Sequence, residues 1–78
     1  MKKYDEAASD FIEAVKIDYP VDSKNCEPAI ILLNEVIKFN PNYAEAYNSR
    51  GEYYKELGET EKAETDFKKA VELNRMMI

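Results

Sequence analysis

Reactive side chains are scarce in this 78-residue sequence, and that scarcity narrows its chemistry. Histidine is the commonest general base near neutral pH and the commonest zinc ligand, and the chain has none. Cys26 is the single cysteine. A thiolate nucleophile needs a basic partner to lower its pKa, so Cys26 without a histidine reads as a packing residue at the start of a helix. It cannot form an internal disulfide either, and folding must rest on packing. Glu59, Glu61 and Glu64 form an acidic cluster. They lack the ligand spacing and turn glycine of a calcium loop, and acids in a first helical turn answer the helix dipole. Neither of the two glycines, Gly51 and Gly58, follows a strand in a phosphate-cradling loop. The expectation is a non-enzyme with no catalytic residue, no metal and no cofactor.

What remains is a surface and the elements that shape it. The formal net charge of -5 is opposite to what phosphate neutralisation requires, so nucleic acid and anionic membrane are not expected partners. A basic or neutral protein segment suits it better. No apolar run approaches the roughly 18 residues of a membrane span. Met1-Lys2-Lys3-Tyr4-Asp5-Glu6 is not followed by an apolar signal core, so a cytoplasmic location is expected. With 45% apolar residues in a chain this short, one small domain over residues 1–78 is expected, near the lower size limit for a self-sufficient core.

Hydrophobic periodicity predicts an all-α fold of four antiparallel helices. The first runs from about Lys3 to Asp18, with Tyr4, Ala7, Ala8, Phe11, Ala14, Val15 and Ile17 on its packed face. Tyr19-Pro20 ends it, because proline disfavours helical dihedrals in the residue before it. The second begins near Cys26, with Pro28 tolerated in its first turn. Its apolar set of Ala29, Ile30, Leu32, Leu33, Val36, Ile37 and Phe39 is broad enough for burial on more than one side. Asn40-Pro41 stops it. Asn42, with Glu45 as capping-box partner, is expected to cap the third helix, which extends to Leu57. Gly58 supplies the left-handed residue after it, and Thr60 is expected to cap the fourth. Met76, Met77 and Ile78 form an apolar tail.

The chain is also self-similar. At an offset of 56, Ala7, Asp10, Phe11, Ala14 and Val15 meet Ala63, Asp66, Phe67, Ala70 and Val71. At an offset of 34, Ala29, Leu33, Val36 and Phe39 meet Ala63, Phe67, Ala70 and Leu73. Between Ala44 and Asn74, within a block that runs on to Met77, small and large apolar residues alternate as Tyr47, Gly51, Tyr54, Gly58, Ala63, Phe67, Ala70 and Leu73. This block resembles one complete tetratricopeptide repeat, whose period is 34 residues. Tyr47 stands at the family's usual tryptophan, Gly51 at its packing glycine and Tyr54 at its aromatic. Arg50 replaces the usual leucine, its stem expected to pack while its head reaches solvent. Arg75 replaces the terminal proline.

Residues 1–43 fit less well. From the first helix to the second the offset is 22, which is 12 short of a period. Two registers follow. In one, the first helix is of the second type, through Phe11 and Ala14. In the other it is of the first type, through Tyr4, Ala7, Ala8 and Phe11, with nine residues inserted before Ala29. The former has more matches.

The resemblance implies a protein-interaction module whose groove, lined by the third helix, takes a peptide or helix. The groove-facing candidates are Glu45, Asn48, Ser49, Glu52, Lys55 and Glu56, while Tyr47, Gly51, Tyr54, Ala63, Phe67 and Ala70 form the repeat-packing core. Family members that clamp a chaperone's C-terminal carboxylate carry lysine where Glu45 stands and asparagine or arginine where Ser49 stands, so that clamp is expected to be absent. Tyr4 also falls on a core position, and Tyr43 and Tyr53 lie beside the core in partly exposed positions. About three repeats are usual for stability, and here there are at most two. The open apolar face of the last helix therefore admits an alternative role, self-assembly into a homodimer or higher oligomer.

Overall fold

A computed structural model describes residues 2–21 and 26–76, with side chains described for 10–21 and 26–75. The expected packing of Tyr4, Ala7 and Ala8 and the tail at 76–78 lie outside the described side chains. Four helices follow in order: α1 (Lys2–Asp18), α2 (Cys26–Phe39), α3 (Ala44–Glu56) and α4 (Thr60–Met76). The described residues contain no strand. No described helix is long and apolar enough to cross a membrane.

α3 and α4 form the tightest pair. Gly51 makes the close approach possible, because a Cβ there would lie 2.7 Å from Phe67 Cε1 and 2.9 Å from Cδ1. Further along, Ala44 and Tyr47 meet Ala70 and Leu73. Residue numbers rise on one helix as they fall on the other, so the pair is antiparallel. The turn between them is a Schellman motif: Gly58 N–H donates to Lys55 O (3.0 Å) and Glu59 N–H to Tyr54 O (2.9 Å). Gly58 has φ +84°, the left-handed conformation that glycine adopts without cost.

Both helix starts correct the sequence reading. α3 opens at Tyr43 in extended conformation with no side-chain cap bond, so the Asn42–Glu45 capping box does not form. The Glu59 carbonyl accepts from Ala63 N–H (3.0 Å), one residue before the expected cap at Thr60.

The larger core gathers α1, α2 and α3. Ile12 and Val15 pack with Cys26, Ala29, Ile30, Leu33, Val36, Ala46 and Tyr53. This overturns the expected face of α1. Phe11 and Ile17 are exposed, as is Ala14, because the buried stripe is rotated by one residue onto Ile12, Val15 and Tyr19. Phe11 is a packed position in both registers of the first helix, so its exposure departs from each. Lys16 pairs with Glu52 (3.3 Å), and the Tyr53 hydroxyl donates to Tyr19 O (2.6 Å). These contacts set the end of α1 beside α3, with residue numbers rising together along the two. On α2, Phe39 is 79% exposed, so that helix is narrower in its packing than its composition suggests.

Candidate functional site

Arg50 occupies the centre of the assembly. Its Nε and Nη2 donate to Asp66 Oδ2 and Oδ1 at 2.8 and 2.7 Å, and Nη1 donates to Asn34 Oδ1 at 2.9 Å. Its guanidinium also lies 5.6 Å from the Tyr47 ring and 5.7 Å from the Tyr54 ring. The hydrogen bond to Asp66 is the largest influence raising the guanidinium above its ordinary pKa, against the opposing effect of burial. The expectation that the Arg50 head reaches solvent is thus corrected: it joins α2, α3 and α4. Asp66, 3% exposed, was not anticipated as a partner. Its place three residues after Ala63, on the buried face of α4, was the available signal.

The six groove candidates are distributed over three settings. Glu45 and Asn48 line a recess of about 780 Å³ between α3 and α4. Glu52, Lys55 and Glu56 line a shallower opening of about 530 Å³ with Lys16 and Val21. Ser49 lies in neither. It is fully buried, its hydroxyl has no hydrogen-bond partner, and it shares a helix face with buried Ala46 and Tyr53. It is therefore corrected from a groove residue to an interior one. Of the packing set, Gly51, Ala63 and Ala70 are buried, and Tyr47, Tyr54 and Phe67 are half-buried. Tyr53, expected to be partly exposed, is fully buried, and burial is the chief cause raising its pKa.

The larger recess has a floor of Phe67, Ala70, Val71 and Leu73 and a rim of Asn40, Asn42, Asn48 and Asn74. Glu45 is the charged residue among those lining it. The amides at 40, 42 and 74 and the half-open Val71 were not read as site residues, since asparagines near helix ends serve equally as stop and cap signals. Such a surface offers shape, apolar area and neutral hydrogen bonding. Among the described residues no group of three or more acidic, cysteine or histidine side chains is placed to hold a metal ion.

A sequence profile described as "Tetratricopeptide repeat" matches residues 44–76. Heat shock protein STI1 of Saccharomyces cerevisiae is 29% identical over an 86-residue alignment that covers 94% of this chain and 15% of that protein. The chain thus spans a small fraction of the length of this curated relative. No solved structure matches significantly. The matched segment coincides with the α3–α4 hairpin that Gly51, Phe67 and Gly58 shape. That hairpin is what resembles the tetratricopeptide repeat, in sequence over residues 44–76 and in its helix–turn–helix order.

Proposed function

We propose that the chain is a non-enzymatic protein-interaction module that captures an amphipathic helix in the recess between α3 and α4. The observation that carries this reading is the recess itself, with its apolar floor and amide rim at the open side of a complete repeat. Repeats of this kind bury such faces against a neighbouring helix. A partner helix would gain apolar burial from Phe67 and Val71 and orientation from Asn48 and Asn74. The smaller opening beside α1 is less suited, because Lys16 and Glu52 already pair across it and its remaining charges, Lys55 and Glu56, offset each other. A preference for basic ligands is supported in the recess by Glu45 alone.

The test is selection from a displayed library of helical peptides on the immobilised full chain. Selected peptides should bind at least about tenfold more weakly to Val71→Glu and measurably more weakly to Asn48→Ala. Binders indifferent to both changes but lost with Glu52→Lys would move the site to the opening beside α1.

A further inference from the structure

α1 and α4 are related in sequence and inverted in packing. At the offset of 56, Asp10, Phe11, Ala14 and Ile17 stand where α4 has Asp66, Phe67, Ala70 and Leu73. On α4 these four form the face that meets α3: Asp66, Ala70 and Leu73 are buried and Phe67 is half-buried. On α1 all four are exposed, Phe11 by 40% and Ile17 by 75%. The reverse also holds. Ile12, Val15 and Tyr19, which turn inward on α1, correspond to Lys68, Val71 and Arg75, which are exposed on α4.

The outward side of α1 therefore repeats a helix-packing face whose complement is visible on α3. There Arg50 donates two hydrogen bonds to Asp66, at 2.7 and 2.8 Å. Gly51 admits the Phe67 ring, which a Cβ would meet at 2.7 Å. Ala44 and Tyr47 pack with Ala70 and Leu73. Charge favours the same kind of complement, because exposed Glu13 and Asp18 flank the outward side of α1 and Lys16 is engaged with Glu52. A second copy of this chain cannot supply it, since α4 already covers the matching face of α3 through Arg50, Gly51 and Tyr47.

We propose that the outward side of α1 docks a helix of a different polypeptide that carries the α3 pattern. That pattern is a small residue, an aromatic three residues on, and an Arg-Gly pair three and four residues after the aromatic. The arginine forks onto Asp10, the glycine receives the Phe11 ring, and the small and aromatic residues close over Ala14 and Ile17. Repeat helices bury such faces against a neighbour, and here the neighbour comes from outside the chain. The surface is separate from the α3–α4 recess and stands whatever the recess binds.

The probe is a fluorescent peptide of residues 42–58, held helical by a staple joining positions 49 and 53, and the readout is its anisotropy with the full chain. Phe11→Glu and Asp10→Arg should each weaken binding at least about tenfold. Both positions are exposed, so urea midpoints matching the parent's separate a lost contact from a lost fold. A peptide carrying Arg50→Asp should bind the Asp10→Arg chain more tightly than it binds the parent. Val71→Glu, in the recess, should leave the parent peptide's affinity unchanged. Absence of binding at about 1 mM peptide overturns the proposal. So does binding that survives Phe11→Glu and Asp10→Arg, and a loss with Val71→Glu alone would place the peptide in the recess instead.

Discussion

The Arg50–Asp66 pair predicts an asymmetric response to its two truncations. Asp66 is 3% exposed, and its carboxylate accepts two bonds from Arg50 at 2.7 and 2.8 Å. Arg50→Leu removes both and strands a buried charge, which costs about 3–5 kcal/mol. Asp66→Ala leaves a cation whose side chain is 20% exposed and still bonded to Asn34, so the guanidinium can turn toward water. A loss of about 1–2 kcal/mol is expected there. For 78 residues the total stability is about 4–12 kcal/mol, so Arg50→Leu alone brings the chain close to its unfolding threshold. The double variant Arg50→Leu/Asp66→Leu exchanges the pair for apolar contact and should return to within about 1 kcal/mol of the parent. Urea unfolding followed by circular dichroism gives all four stabilities. Additive single losses, or a larger loss for Asp66→Ala than for Arg50→Leu, would refute the assignment of Asp66 as the buried member that depends on its partner.

Three further outcomes are expected. Gly51→Ala gains about 1 kcal/mol of helix propensity but drives a methyl to 2.7 Å from Phe67, and overpacking of that kind costs about 1–3 kcal/mol. It should destabilise the parent and become stabilising in a Phe67→Leu background, read as a change of sign in urea midpoints. Ser49→Ala removes a fully buried hydroxyl with no hydrogen-bond partner and should stabilise by about 1 kcal/mol in the same assay, whereas a groove role would leave stability unchanged. Tyr53 has a folded pKa raised above an unfolded value of about 10. Its stabilising contribution is complete below that unfolded value and is lost as pH rises through the folded one. Tyr53→Phe should therefore be less stable at neutral pH, through loss of the bond to Tyr19, and flatter above about pH 10. Midpoints measured across that range check both signs.

The α3–α4 hairpin was legible because its signals are local and agree with one another. Gly58 marks a turn, Gly51 a close approach, and Ala63, Phe67 and Ala70 recur at helical spacing. α1 was legible as a helix but not in its rotation. Phe11, Ile12, Ala14, Val15 and Ile17 offer two overlapping apolar stripes one residue apart, and only contact with Cys26, Leu33 and Tyr53 selects between them. Ser49 was misplaced for a related reason. Polarity suggests solvent, but its neighbours on that face, Ala46 and Tyr53, are both fully buried. The positions of Arg50 and Asp66 on packed faces were legible, but their pairing was not, because they stand 16 residues apart on different helices.

The ties among the helices are unequal, and this bears on how the molecule opens. Arg50 fastens α2, α3 and α4 together through Asn34 and Asp66. The described polar ties of α1 to the rest are Lys16 with Glu52 and the Tyr19 carbonyl with Tyr53. Opening free energies should accordingly form a gradient, with amides of α1 exchanging through a subglobal event while those of α3 and α4 wait for global unfolding. Detachment of α1 would also break the bond that holds the Tyr53 hydroxyl and let water reach it. Tyr53 ionisation is therefore an intrinsic probe of the equilibrium between a four-helix native state and an opened state with three helices packed.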